Sequence, residues 1–239
     1  MIQADFKITS NDLIAKDTFM LTLEGNTEAV SPGRFINIKL NGFFLRRPIS
    51  VCDYNEKELT VIYKTVGRGT KYLSERKRGE AIDVLSGLGN GFDLARAGIS
   101  PLIIGGGAGV SPLFALAKRI KNATAVLGFN TAEEVYLKNS FEHVCKRVIV
   151  TTADGSMGIK GFVTDAVKEL PAPSYYYACG PEPMLKAVYN AVDADGELSF
   201  EERMACGFGV CRGCTCKTKY GDKSICKDGP VMRKGEIIW

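Results

Sequence analysis

Residues 101–112 read P-L-I-I-G-G-G-A-G-V-S-P, and the chain changes character on either side of this stretch. An apolar run of four ends in a cluster of glycines leading into Ser111 and Pro112, the composition of a buried strand that turns into a helix. Glycines let a pyrophosphate approach the backbone, and the first turn of a helix attracts an anion by about 0.3–1 kcal/mol. The residues that could serve a dinucleotide in this way are Gly105, Gly107, Gly109 and Pro112. From Gly107 the pattern is G-x-G-x-x-P, so the third glycine of the usual dinucleotide fingerprint is absent. Pro112 suits a first helical turn, where its missing N–H would have had no partner. Taken alone, the stretch fits a phosphate-binding turn and a strand-to-helix turn without a ligand equally well.

Before this stretch the chain reads as short alternating or β-branched runs at residues 6–9, 18–24, 34–40, 49–53, 59–66 and 82–85. Turn residues separate them, among them Gly25-Asn26, Ser31-Pro32-Gly33 and Asn41-Gly42, which predicts an antiparallel barrel or sandwich with one short helix over 70–77. Arg46-Arg47-Pro48-Ile49-Ser50 places two guanidinium groups just before a strand, and Gly67-Arg68-Gly69-Thr70 opens the helix. Arginine's fork fits phosphate oxygens, and the hydroxyl of Ser50 or Thr70 could hydrogen-bond a flavin. A surface arginine pair and a capped helix explain the same residues nearly as well.

After it, strands at 101–104, 123–129, 147–151 and 175–179 alternate with helices at 111–120, 163–169 and 183–192, which predicts a parallel sheet with crossover helices. Ala178-Cys179-Gly180-Pro181-Glu182-Pro183-Met184 is a second strand end punctuated by Gly and Pro before a helix. Ligands of open α/β sheets bind at the carboxyl ends of strands, where both turns lie. The expected division is therefore a β domain over residues 1–97, an α/β domain over 98–196 and a small C-terminal subdomain over 197–239.

That last segment is rich in Gly, Cys and Lys and has too few apolar residues for a core of its own. It carries Cys206, Cys211, Cys214 and Cys226 in the order C-x4-C-x2-C-x11-C. In this 2Fe-2S spacing three ligands share a loop and the fourth comes from a separate segment. Gly207, Gly209 and Gly213 let that loop turn its N–H groups toward sulfur. Zinc prefers two C-x2-C-like pairs, and only Cys211 and Cys214 form one. Cys216 shares a face with Cys214 in an extended segment and is the competing ligand. Two phosphate-type turns and a cysteine cluster together favour redox chemistry over any one of them read singly.

The remaining composition narrows the field. The chain has 239 residues, 45% hydrophobic and 24% charged, with a formal charge of +4, which does not suggest a nucleic-acid surface. Its N-terminus, MIQADFKITS, lacks the features of a signal peptide, and no stretch has the apolar length of a membrane span, so a cytoplasmic location without membrane contact is expected. His143 is the only histidine and has no Cys, Asp or second His beside it, so no general base is expected of it.

An R-x-x-S stretch, a G-x-G-x-x-P turn and C-G-P, in that order and spacing, resemble the ferredoxin-NADP reductase superfamily. E-E-R-M-x-C-G-x-G-x-C-x-x-C at 201–214 and C-x-D-G-P at 226–230 resemble, within it, the electron transfer subunits of type B dihydroorotate dehydrogenase. The resemblance spans essentially the whole chain, including residues 153–156 and 160–165. It implies an N-terminal antiparallel FAD-binding β-barrel, a parallel α/β NAD-binding domain and a small C-terminal 2Fe-2S subdomain. Arg47, Pro48, Ile49, Ser50, Ile62, Tyr63, Lys64, Gly69 and Thr70 would then hold FAD. Cys206, Cys211, Cys214 and Cys226 would hold the cluster with Cys216 free, while Gly105 to Pro112 and Cys179, Gly180 and Pro181 would receive the nicotinamide dinucleotide. The eleven-residue gap before Cys226 is short for this pattern.

The implied activity is transfer of electrons from dihydroorotate, oxidised on a separate FMN-containing catalytic subunit, through 2Fe-2S and FAD to NAD+ in pyrimidine biosynthesis. A heterotetramer with two of each subunit is expected, with no catalytic acid or base in this chain. A subunit of a ferredoxin:NADP oxidoreductase or a sulfhydrogenase complex is the alternative. NAD(H) is expected over NADP(H), because Glu133 and Glu134 follow the 123–129 strand and would repel a 2′-phosphate.

Overall fold

The computed structural model describes residues 1–239. Six strands close a barrel: β1 (Ile2–Ala15), β2 (Thr18–Glu24), β3 (Phe35–Ile38), β4 (Arg47–Tyr54), β5 (Glu58–Lys64) and β6 (Ala81–Leu88), in the order β1-β2-β5-β4-β3-β6. All pairs are antiparallel. Alternation drives the closure: Leu21 and Leu23 on β2 and Val61 on β5 point inward and are fully buried, together with Ile36, Ile38 and Val84. Burial of such side chains contributes about 1.5–3 kcal/mol each. One helix, α1 (Arg68–Ser74), interrupts the strands between β5 and β6.

The second sheet has seven strands: β7 (Leu102–Gly106), β8 (Thr124–Phe129), β9 (Arg147–Thr152), β10 (Ile159–Lys160), β11 (Tyr176–Cys179), β12 (Gly196–Ser199) and, beyond a two-stranded hairpin of β13 (Thr215–Thr218) and β14 (Gly221–Ser224), β15 (Val231–Arg233). Its order is β10-β9-β8-β7-β11-β12-β15, parallel except for β15 at the edge. β7 is buried along its whole length, as expected of a central parallel strand covered on both faces. The helices are α2 (Phe114–Ala117), α3 (Lys138–Val144), α4 (Val163–Val167), α5 (Glu182–Ala191) and α6 (Ile225–Asp228).

The structure departs from the sequence reading in three places. The helix expected over 111–120 is a 3-10 turn over Gly107–Leu113 followed by the single turn of α2. Pro112 disfavours α geometry at Ser111 and supplies no N–H, which shortens the regular part. α3 and β10 had no clear periodic signal. The boundary expected between residues 196 and 197 falls inside β12, and β15 also enters the large sheet, so that sheet includes residues read as part of the C-terminal subdomain.

The three parts share cores. Cys52 and Ile62 of the barrel pack in one cluster with Val110, Leu113 and Tyr177 of the α/β domain. Phe35 and Leu88 of the barrel join Ile104, Met232, Cys214 and Cys226 in another. Asn90 clamps the C-terminal segment, donating to the carbonyl of Val231 at 2.7 Å and accepting its N–H at 2.9 Å.

Candidate functional site

A cavity of about 360 Å³ opens where the three parts meet. Pro48, Ile49 and Ser50 of β4, Ile62, Tyr63 and Lys64 of β5, and Thr70 of α1 form its barrel wall. Ala108, Ser111 and Cys179 close it from the α/β side, and Ser199, Glu201, Met204 and Pro230 from the C-terminal segment. Seven of the nine expected flavin residues thus line one cavity. The other two sit side by side at its margin: a Cβ on Gly69 would lie 2.3 Å from Arg47 Nε, so glycine there makes room for the guanidinium. Arg47 has no carboxylate partner and lies over the Phe43 ring at 5.0 Å. Its neighbour Arg46 instead forks onto Asp83 at 2.8 and 2.9 Å, joining the β3–β4 turn to β6. Thr70 Oγ1 accepts the N–H groups of Val66 and Gly67, which caps α1. Ser111 Oγ is buried without a hydrogen-bond partner in the cavity wall, a cost that a polar ligand would remove.

A second cavity of about 440 Å³ lies at the carboxyl ends of the parallel strands, lined by Gly107, Asn130, Thr151, Phe162, Pro181 and Met184 among others. Of the residues expected to receive the dinucleotide, Gly106, Gly107 and Pro181 line it. Gly107 has φ +54 and nothing within 4 Å of a Cβ, so its backbone is open to a ligand. Gly105, Gly109 and Pro112 are buried beneath the turn, and a Cβ on Gly109 would lie 2.3 Å from the carbonyl oxygen of Cys179. Gly109 therefore lets the two strand-end turns touch. Cys179 faces the first cavity and Gly180 a third, beside Trp239. Asn130, Thr151 and Phe162 were missed as contacts; the Gly128-Phe129-Asn130 and Gly161-Phe162-Val163 strand ends were the available signal. Thr151 Oγ1 is buried without a partner in the cavity wall.

The four cysteines form two pairs. The Cys211 N–H points at Cys206 Sγ at 3.5 Å, and the Cys226 N–H at Cys214 Sγ at 3.4 Å. Gly209 N–H also donates to Cys226 Sγ at 3.1 Å. Burial opposes ionisation of Cys206, but N–H groups of Cys211, Phe208 and Val210 and the Cys211 thiol outweigh it and bring its thiol down to about 6. Burial and the adjacent Cys214 thiol push Cys226 up to about 12. No three His, Cys, Asp or Glu side chains form a group that could hold one metal ion. Two thiol pairs suit two irons better than a single tetrahedral zinc. Cys216 Sγ lies 4.0 Å from Met232 Sδ. Cys214 and Cys226 are buried, whereas Cys206 and Cys211 lie toward the surface beside Phe208 and Val210, which are 41% and 76% exposed. Asn37 of β3 anchors the loop by donating to the Cys206 carbonyl at 3.3 Å.

The acids expected to exclude a 2′-phosphate both pair with lysines. Glu133 pairs with Lys16, just after β1, and Glu134 with Lys64 of β5, both at 3.1 Å, so each carboxylate reaches a lysine of the barrel domain.

Residues 201–238 match the family model described as the iron-sulfur cluster binding domain of dihydroorotate dehydrogenase B. The chain is 42% identical over 253 residues to the dihydroorotate dehydrogenase B (NAD(+)) electron transfer subunit of Fusobacterium nucleatum, covering 98% of this chain and 97% of that one. It is 43% identical over 256 residues to the subunit of the same name from a Geobacillus species, covering 100% and 99%. A solved NADH-dependent reduced ferredoxin-NADP oxidoreductase is similar with a TM-score of 0.87 and 30% identity, over 98% of this chain and 90% of that one. Phthalate dioxygenase reductase shares the fold, with a TM-score of 0.65 and 20% identity over 81% of this chain and 68% of its own.

Proposed function

The chain belongs to the family of dihydroorotate dehydrogenase B (NAD(+)) electron transfer subunits, and from that premise we propose a route for electrons through its three parts. It is an electron transfer subunit whose cofactors are FAD, a 2Fe-2S cluster and NAD. Bound, these groups supply one-electron transfer at the cluster, interconversion of one- and two-electron steps at the flavin, and hydride exchange with the nucleotide.

Everything else falls to the protein. Cys206 and Cys211 would hold one iron and Cys214 and Cys226 the other, while the N–H groups of Gly209, Cys211 and Cys226 would stabilise sulfur charge. Ser50 would hydrogen-bond the flavin, Thr70 would line its cavity with its hydroxyl committed to the α1 cap, and Arg47 would meet the flavin phosphates from the cavity margin. Gly107 and Pro181 would let the dinucleotide approach, with Thr151 as a buried hydrogen-bonding partner. The observation that carries the reading is the series arrangement: thiol pairs running from the surface into a shared core, a cavity bordered by Met204 and Pro230 of the same segment, and a second cavity across Ala108 and Gly107.

The partner would be a catalytic subunit that oxidises dihydroorotate on FMN, in a heterotetramer with two of each, working in the cytoplasm, where free thiols persist. Phe208 and Val210 would contact it. Mixing the purified holoprotein with a type B catalytic subunit should yield dihydroorotate-dependent reduction of NAD+. Coupling to a ferredoxin or a hydrogenase subunit, with no electrons accepted from the catalytic subunit, would transfer the chain to the alternative that the 30% identical reductase represents.

A further inference from the structure

Between the two cavities runs a chain of three polar side chains. Lys64, at the end of β5, lines the cavity assigned to the flavin. Its Nζ lies 3.1 Å from Glu134 Oε1. Glu134 sits in the short turn after β8, and its other oxygen accepts the side-chain N–H of Asn130 at 3.0 Å and the Asn130 backbone N–H at 3.3 Å. Asn130 lines the cavity assigned to the dinucleotide. One carboxylate therefore holds a residue of each cavity, one oxygen apiece.

The contrast with its neighbour is informative. Lys16–Glu133 joins the same two parts of the molecule at the same 3.1 Å, but with side chains 56% and 71% exposed, and it touches neither cavity. Such an exposed pair contributes little. In the Lys64–Glu134 pair the side chains are 26% and 15% exposed. Burial raises the Glu134 carboxyl, yet Lys64 and Asn130 outweigh it and hold the group below the usual carboxylate range, so the carboxylate stays charged. A shielded ion pair is screened less by water and salt than an exposed one, and its geometry constrains both ends.

We propose that Glu134 is a positioning residue that couples the two cofactor sites, holding the Lys64 cation beside the flavin and Asn130 in place for the nucleotide, so that a change at either end is felt at the other. The proposal rests on the flavin and dinucleotide assignments above. It assigns Lys64 a second role besides lining the flavin cavity, and it replaces the reading of Glu134 as a guard against a 2′-phosphate.

The test uses holoprotein carrying FAD and the cluster, with NADH titrated into the fully reduced protein, which cannot accept its hydride, and the flavin midpoint potential measured separately. Glu134→Gln leaves the lysine charge uncompensated near the flavin, which favours its reduced, anionic form and should move the potential positive. Lys64→Gln leaves the carboxylate uncompensated and should move it negative. Both should weaken NADH binding, roughly tenfold for the loss of one charge-assisted link, although Lys64 lines only the flavin cavity. Lys16→Gln should change neither quantity. Potentials that move in the same direction, NADH affinity unchanged in Lys64→Gln, or equal effects from Lys16→Gln would each overturn the coupling. If one variant fails to retain FAD, the other still carries the sign of the potential shift and the loss of affinity. Wild-type protein that bound neither FAD nor NADH would instead defeat the underlying assignments.

Discussion

At the scale of single residues, the cysteines divide sharply. Serine in place of Cys206, Cys211, Cys214 or Cys226 should each abolish cluster assembly, because one lost thiolate opens an iron to solvent. Cys216→Ser should keep iron and inorganic sulfide at wild-type levels, since that thiol packs on Met232. Iron and sulfide analysis of the five proteins checks this, and an iron-free Cys216 variant would refute it. The arginine pair divides as clearly. Arg47→Ala should weaken FAD retention without unfolding the barrel. Arg46→Ala should cost about 2 kcal/mol, because it leaves Asp83 without its fork. The hydrogen bonds from Arg46 hold the Asp83 carboxyl below its ordinary value. A carboxylate with a depressed native pKa stabilises the fold above its unfolded pKa of about 3.9, and that contribution is lost as pH falls through the native value. The stability gap between wild type and Arg46→Ala should therefore be full near neutrality and close below about pH 4. A gap that persists undiminished in acid-series thermal melts would exclude this account.

At the scale of elements, the turn after β7 contains glycines that serve different ends. Alanine at Gly109 would drive its Cβ into the Cys179 carbonyl, forcing the two strand-end turns apart. The cost expected of such overpacking is about 1–3 kcal/mol, with NADH affinity falling while FAD content is kept. Alanine at Gly107 meets no atom but must hold φ +54, which costs about 1–2 kcal/mol for an L-residue. Thermal melts paired with NADH titrations separate the two, since Gly107→Ala sets a methyl where the dinucleotide would approach and should lose more affinity than Gly109→Ala. The presence of these glycines was legible in the sequence. That Gly105 and Gly109 pack the turn while Gly107 faces the second cavity was not, because the difference lies in which distant backbone passes overhead.

At the scale of the whole molecule, the C-terminal segment is held by cores it does not build. Cys214 and Cys226 are buried with Phe35 of the barrel and Ile104 of the sheet, whereas Phe208 and Val210 stay exposed on the outer side of the same loop. Phe208→Asp and Val210→Asp should leave cluster content and the melting temperature unchanged, since neither side chain supports the fold, but weaken assembly with the catalytic subunit. Sedimentation of the mixed subunits measures this, and normal complex formation by the double variant would remove these residues from the interface.

The order of parts was readable from the sequence alone: alternation with period two before residue 92, strands alternating with helices after 98, and cysteine spacing near the end. Each is a local or fixed-spacing property, carried by neighbours along the chain. The short 3-10 turn, the entry of β12 and β15 into the large sheet, and the division of labour between Arg46 and Arg47 required the tertiary structure. So did the choice of partner for Glu134, which pairs with a lysine seventy positions away. Which charges meet and which side chains share a cavity depend on long-range packing, and no local period along the chain encodes that.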